Sequence, residues 1–266
     1  MQSRHFEISV RGRLLAVQAV GTGGASRERS APAILFLHEG LGSIGQWRDF
    51  PEALCARTGT AGFVYDRLGY GRSDTLPAPR TVRYLHDEAL KALPAVLDAL
   101  GLERPFLVGH SDGGTIALLF AAEYPDRVRG VITEAAHVFV EEETLRGIRE
   151  AVDLYRTTDL RERMARYHGD KVDAVFSGWA DTWLSAEFRD WNVESFLPRV
   201  SCPLLVIQGV DDRYGTPAQV EAIVCGAAGP AEALLLPDCG HIPHQQARDR
   251  VLDAMTRFIR SLPGTA

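Results

Sequence analysis

Five consecutive residues carry the strongest chemical signal in the chain: Gly109-His110-Ser111-Asp112-Gly113. This G-x-S-x-G pattern directly follows an apolar run at 106–108 and directly precedes a helical pattern over 115–124. A strand that turns into a helix within a couple of residues forces its central residue into a strained backbone conformation. The flanking glycines have no Cβ to collide in that turn, so the serine hydroxyl is held out above the sheet as a nucleophile. With 25 glycines and 12 serines in the chain, chance alone gives about 0.1 such patterns. The strand before and the helix after favour a nucleophile over a serine that merely caps a helix.

A serine hydroxyl is a poor nucleophile at neutral pH and needs a base, which in turn needs an orienting carboxylate. Two later stretches offer them. One apolar run ends in Gln208-Gly209-Val210-Asp211-Asp212, and another ends in Pro237-Asp238-Cys239-Gly240-His241. Both are carboxyl ends of strands, where open α/β sheets gather their sites. Ser111, His241 and an acid, Asp211 or Asp212, can therefore converge. His110 adjoins the serine but is expected to point elsewhere and pack, and His38, His137 and His244 read as structural histidines near the site.

The elements that must position these groups are legible in the hydrophobic pattern. Short continuous apolar runs recur at 33–37, 63–65, 106–108, 128–132, 204–207 and 233–236. Strands buried on both faces read this way and belong to parallel sheets covered by helices. Helical patterns lie between them at 81–100, 115–124 and 244–261, with a kink or split expected at Pro94. At the start, Phe6, Ile8 and Val10 alternate with polar residues, and Leu15, Val17 and Ala19 follow a turn at Arg11-Gly12-Arg13. That pattern is an antiparallel hairpin. Gly21-Thr22-Gly23-Gly24 and the charged stretch to Ser30 lack the Lys-Ser/Thr of a phosphate loop and read as a surface connection.

Strand–helix alternation over most of the chain indicates an α/β sheet protein. One segment interrupts it. About seventy residues between 132 and 204 hold no buried strand, only a charged helix-prone stretch at 141–166 and an aromatic one at 176–196. A structureless loop of that length does not suit a compact domain, so a helical insertion lying over the sheet is expected.

Composition narrows the function classes. The net charge of −6, from 35 acidic and 29 basic residues, argues against a protein built to neutralise phosphates, so no nucleic-acid partner is expected. No apolar run approaches the roughly 18 residues of a membrane span. Arg4, Glu7, Arg11 and Arg13 leave no apolar core for a signal peptide, so a cytoplasmic protein is expected. Cys55, Cys202, Cys225 and Cys239 are far apart and read as reduced, buried thiols. His241 and His244 are separated by Pro243, and His38-Glu39 begins no H-E-x-x-H because position 42 is glycine. Neither a metal nor a cofactor is expected.

Four motifs in order resemble the α/β-hydrolase family over essentially the whole chain. Besides the serine elbow, Leu37-His38-Glu39-Gly40 resembles the family's oxyanion segment. Asp66-Arg67-Leu68-Gly69-Tyr70-Gly71-Arg72-Ser73 resembles its D-x-x-G-x-G-x-S turn, and Gly209-x-x-Asp212 and Gly240-His241 match its acid and histidine sites. The resemblance implies an α/β-hydrolase fold: a mostly parallel eight-stranded sheet with an N-terminal antiparallel hairpin, helices on both faces, and a helical cap inserted after the sixth strand. Residues 1–136 and 201–266 would then form the core and 137–200 the cap. It also implies Asp212 as the acid, although some members place it where Glu134 stands.

The same resemblance assigns the oxyanion hole to the amides of Gly40 and Asp112. Glu39 departs from the family, which usually has glycine after the histidine; Gly40 and Gly42 are expected to keep that turn flexible. Two carboxylates, Glu39 and Asp112, would thus flank a developing anion, and a bare charge there would oppose catalysis. Both are expected to point away or be paired, Asp112 by capping the helix and Glu39 by Arg67 or Arg72. Glu39, His137, Trp179, Trp183, Trp191 and Ile242 are candidate pocket residues; Phe176 and Phe188 add to the aromatic character of the cap.

The chemistry expected is a serine hydrolase acting on a small-molecule carboxylic ester or related acyl compound. A serine in the elbow excludes the branches that use aspartate there. The first alternative is a carbon–carbon hydrolase of aromatic ring-fission products, although those enzymes usually carry Trp after the histidine and Ile242 stands here. The second is a ligand-binding sensor on a hydrolase scaffold.

Overall fold

The computed structural model describes residues 3–21 and 31–263; the loop read at 22–30 lies outside them. Strand β1 (Arg4–Val10) pairs antiparallel with β2 (Arg13–Val20). In the turn between them Arg11 and Gly12 both have positive φ, 51° and 76°. Two consecutive positive φ values suit the right-handed twist of a tight hairpin.

Strand β3 (Ala33–Leu37) shows why the later runs are continuously apolar. Ala33, Leu35 and Leu37 face one core, and Ile34 and Phe36 the other. Strands β4 (Ala61–Tyr65), β5 (Phe106–His110), β6 (Gly130–Glu134), β7 (Leu204–Gly209) and β8 (Ala231–Leu236) complete one eight-stranded sheet, ordered β1-β2-β4-β3-β5-β6-β7-β8. β2 pairs antiparallel with β4, and the strands from β4 to β8 run parallel. β5 therefore lies between β3 and β6, with Gly109 opposite Leu37 and His110 opposite Glu134.

Helix α1 (Phe50–Thr58) follows β3; α2 (Tyr84–Asp87) and α3 (Leu93–Leu100) precede β5, and α4 (Asp112–Glu123) leaves it. Helices α5 (Glu142–Thr157), α6 (Leu160–His168) and α7 (Val172–Leu184) occupy the long segment between β6 and β7. Helix α8 (Pro217–Gly226) follows β7, and α9 (Pro243–Gln246) and α10 (Arg248–Ser261) close the chain. Phe50 and Leu54 of α1 join Val251, Met255 and Ile259 of α10 on one face of the sheet. Leu93, Val96, Ile116, Phe120 and Ile223, from α3, α4 and α8, cover the other.

Two readings are corrected by these elements, the uninterrupted helix at 244–261 and the burial of Cys225. The split expected at Pro94 is present as a π turn (Glu88–Ala92) that joins α2 to α3 just ahead of it. Pro94 has no N–H for the Leu90 carbonyl four residues back, and that carbonyl accepts the Tyr124 hydroxyl at 3.0 Å. The helix at 244–261 is interrupted at Ala247, whose φ of −129° is not helical. Cys225 is exposed, while the other three free cysteines are buried. No helix among the described residues is long and apolar enough to cross a membrane.

The bond to Leu90 generates a stability test. Tyr124→Phe removes one partly buried hydrogen bond at the π turn and is expected to lower the unfolding free energy by about 1 kcal/mol, measured by urea denaturation. An unchanged midpoint and slope would show that the Leu90 carbonyl does not depend on Tyr124.

Candidate active site

The turn from β5 into α4 leaves almost no free space. A Cβ on Gly109 would lie 2.2 Å from the Gly113 carbonyl oxygen, and one on Gly113 would lie 2.0 Å from the carbonyl oxygen of Leu37. Ser111, at the apex, has φ 52° and ψ −116°. A non-glycine residue held there stores strain that its surroundings must stabilise. Its amide donates to the Glu134 carbonyl at 2.8 Å, and its carbonyl accepts the amides of Gly114 and Thr115. The backbone of Ser111 is thus fixed on both sides.

Ser111 opens into a cavity of about 220 Å³ that it shares with His241, Gly40 and Asp112. His241 Nδ1 lies 2.9 and 2.8 Å from the two carboxylate oxygens of Asp212. Asp212 also accepts the Tyr214 amide at 2.8 Å and the Gln208 side-chain amide at 3.2 Å. Burial pushes its carboxyl pKa up, but the charge and hydrogen bond of His241, and then the Tyr214 amide, outweigh it and hold the group below the usual carboxylate value. Of the three acids considered, only Asp212 meets His241. Glu134 is bonded instead to His244 Nδ1 at 2.6 Å. Ser111 Oγ makes no hydrogen bond among the described residues; bonds from nucleophile to base commonly close only when substrate is bound.

The amides of Gly40 and Asp112 have no acceptor among the described residues. The Tyr70 hydroxyl donates to the Gly40 carbonyl at 2.9 Å. Neither Gly40 nor Gly42 has positive φ, so glycine serves here for room and not for flexibility. A Cβ on Gly40 would lie 2.5 Å from the Trp179 ring, and one on Gly42 would lie 2.3 Å from the Glu39 carboxylate. Glu39 itself needs no special backbone angle, which is how the turn accommodates it in place of glycine.

Both flanking carboxylates are paired, with different partners from those expected. Asp112 does not cap its helix. It accepts the Tyr84 hydroxyl at 2.9 Å and lies 3.5 Å from the Arg67 guanidinium, and Trp183 Nε1 donates to Tyr84 in turn at 2.8 Å. Glu39 pairs with neither Arg67 nor Arg72; its carboxylate contacts His110 Nδ1 and Gln46 Nε2, each at 3.3 Å. The Arg72 amide donates to Asp66. His110 is therefore not simply packed.

Glu39, His137, Trp179, Trp183 and Ile242 all line the cavity. Trp191 does not. It stacks on Phe188 with ring centroids 5.1 Å apart, beneath Trp183, as part of the packing that supports the wall. Sequence reading missed Tyr214, Met164 and Gln46 in the lining; no spacing in the chain points to them. His137 Nε2 is 2.8 Å from the Tyr214 carbonyl, and burial followed by the neighbouring His241 lowers its pKa, so His137 is a neutral wall residue. No group of three or more His, Cys, Asp or Glu residues suited to a metal ion occurs among the described residues.

Residues 32–196 match the profile of the alpha/beta hydrolase fold. The chain belongs to the α/β-hydrolase family. It is 26% identical over 255 residues to the 2-hydroxy-6-oxo-6-phenylhexa-2,4-dienoate hydrolase of Comamonas testosteroni, covering 86% of this chain and 87% of that one. Among solved structures, the enol-lactonase from Burkholderia xenovorans LB400 superposes with a TM-score of 0.73 at 21% identity, over 96% of this chain and 99% of its own. Carboxylesterase CesB from Bacillus subtilis gives 0.68 at 20%, over 97% and 92%. At these identities the two structures share the fold.

In this α/β-hydrolase the tightness of the elbow is open to direct test. Gly113→Ala pushes a methyl group into the Leu37 backbone and is expected to destabilise the fold by about 3 kcal/mol, read from thermal and urea unfolding. A variant as stable as the parent would mean that the elbow and β3 are not in close contact.

Proposed function

We propose that this α/β-hydrolase is a serine hydrolase of small, uncharged carboxylic esters or related acyl compounds. The carrying observation is that Ser111, strained at the elbow, shares one cavity with His241, whose Nδ1 is bonded to Asp212. Ser111 Oγ attacks the acyl carbon as its proton passes to His241 Nε2. Asp212 stabilises the imidazolium that forms and fixes its tautomer. The anion on the former carbonyl oxygen is held by the amides of Gly40 and Asp112, which have no competing acceptor. His241 then returns the proton to the leaving alcohol, and water releases the acid from Ser111.

Size and polarity support the choice of substrate. The cavity of about 220 Å³ is smaller than the roughly 300–1,000 Å³ of drug-sized ligand sites. Leu41, Ile148, Leu160, Met164, Trp179 and Trp183 make most of its wall apolar. In this reading residues 137–200 act as a cap, because every one of those side chains except Leu41 comes from α5, α6 or α7, as does Thr144.

A second reading, cleavage of a carbon–carbon bond, is favoured by the dienoate hydrolase relative. Its named substrate is a carboxylate. No lysine or arginine among the described residues lines this cavity, and the nearby Arg67 is engaged by Asp112 and the Glu39 carbonyl. The ester reading is therefore preferred.

Initial rates on short-chain p-nitrophenyl esters and on a yellow dienol ring-fission product separate the two. Faster ester turnover is expected, with a loss of about 10⁴-fold or more in Ser111→Ala. Faster bleaching of the dienol would reverse the assignment.

A further inference from the structure

One buried charged group has no part in the catalytic steps above. It is His110, the residue between the first glycine and the serine of the elbow. Its ring is 2% exposed. Nδ1 faces a carboxylate oxygen of Glu39 at 3.3 Å, and Nε2 faces the backbone carbonyl of His241 at 2.6 Å. Both partners are acceptors, and a neutral imidazole has only one N–H. With Glu39 ionised, satisfying both contacts requires the imidazolium.

We propose that Glu39 and His110 are positioning residues, a carboxylate–imidazolium clamp that ties the segment carrying one oxyanion amide to the loop carrying the catalytic base. The clamp rests on the hydrolase reading above. Its three anchors come from the turn after β3, the end of β5 and the loop after β8, which have no covalent reason to keep their spacing.

Each end is held independently. The Glu39 carbonyl accepts the Gly42 amide at 3.1 Å, His38 Nδ1 at 2.8 Å and the Arg67 guanidinium at 2.8 Å, so the backbone is fixed before the side chain extends. Glycine at position 42 leaves the space that the Glu39 carboxylate fills. At the other end, Gln246 Oε1 accepts the amides of Gly240 and Ile242 at 3.1 and 3.0 Å. The His241 carbonyl between them is what His110 holds.

The charges around His110 agree. Burial opposes its protonation, but the bond to Glu39, the charges of Glu39 and Glu134, and the His241 carbonyl raise its pKa to about 9. Burial likewise opposes ionisation of Glu39, yet His110 and His38 lower it to about 2. The rings of His241 and His244 stand 5.1 and 5.2 Å from that of His110, and Trp47 packs edge-on at 6.3 Å. A cation that close to His241 would oppose formation of the catalytic imidazolium; Glu39 offsets it.

A raised histidine pKa means that the clamp is intact below it and lost as pH climbs through about 9. Ester hydrolysis by the wild type is expected to fall along that limb. Glu39→Gln keeps an acceptor but removes the charge. It should bring the alkaline limb down by about one pH unit or more and lower kcat about tenfold, with KM changed less than about twofold. A Ser111-dependent enzyme whose pH profile is unmoved by Glu39→Gln overturns the clamp alone. Activity that survives Ser111→Ala overturns the reading beneath it. Should Glu39→Gln fail to fold, histidine-ring ¹⁵N spectra of the unaltered protein decide the matter. An imidazolium at about pH 8 that is missing from the His110→Asn spectrum is expected; every ring neutral at that pH would refute the clamp.

Discussion

The site depends on how closely β3, β5 and α4 approach one another at Ser111. The Leu37 and Gly113 backbones meet where a single methyl group would not fit, and Gly109 stands under the same turn. That contact holds Ser111 at positive φ and places its amide against Glu134 of β6. It also fixes the distance from the serine to the Gly40 segment, which continues directly from β3. A parallel sheet supplies this neighbourhood because the carboxyl ends of β3, β5, β6, β7 and β8 all face the same rim.

A second constraint is electrostatic. Glu39, Asp112 and Asp212 all lie at the cavity or directly behind it, as do His110, His137 and His241. Burying an unpaired charge costs several kcal/mol, so each carboxylate is matched to a donor of its own. Asp212 serves His241, Glu39 serves His110, and Asp112 is taken by Tyr84 and Arg67. The cavity therefore presents little free charge, although its rim is dense in ionisable groups. That is the physical basis for preferring an uncharged substrate.

The sheet, and the approach of Ser111 and His241 to an acid after β7, are legible in the chain because each rests on a short local signal; the choice of Asp212 over Asp211 comes only from the family resemblance. Strands buried on both faces must be continuously apolar, and a strand-to-helix turn must have glycines where Gly109 and Gly113 stand. Pairing between distant segments has no such signal. Arg67 and Tyr84 reach Asp112 from 45 and 28 residues away, and no periodicity encodes that. His110 reads as a packed neighbour of the serine because its partners, Glu39 and His241, lie 71 and 131 residues off. Composition groups Trp191 with Trp179 and Trp183, yet only the latter two face the cavity. Pro94 announces a break, but nothing local announces that the Leu90 carbonyl it leaves without a helical partner is taken by Tyr124, 34 residues away.

The central proposal is that Ser111 is a nucleophile activated by His241. An aryl phosphonate that mimics the tetrahedral intermediate tests this most directly, through the intact mass and peptide map of the treated protein. One adduct per chain is expected, on Ser111, forming at least about a hundredfold more slowly in His241→Ala. An adduct elsewhere, or labelling of Ser111 at an undiminished rate without the histidine, would contradict it.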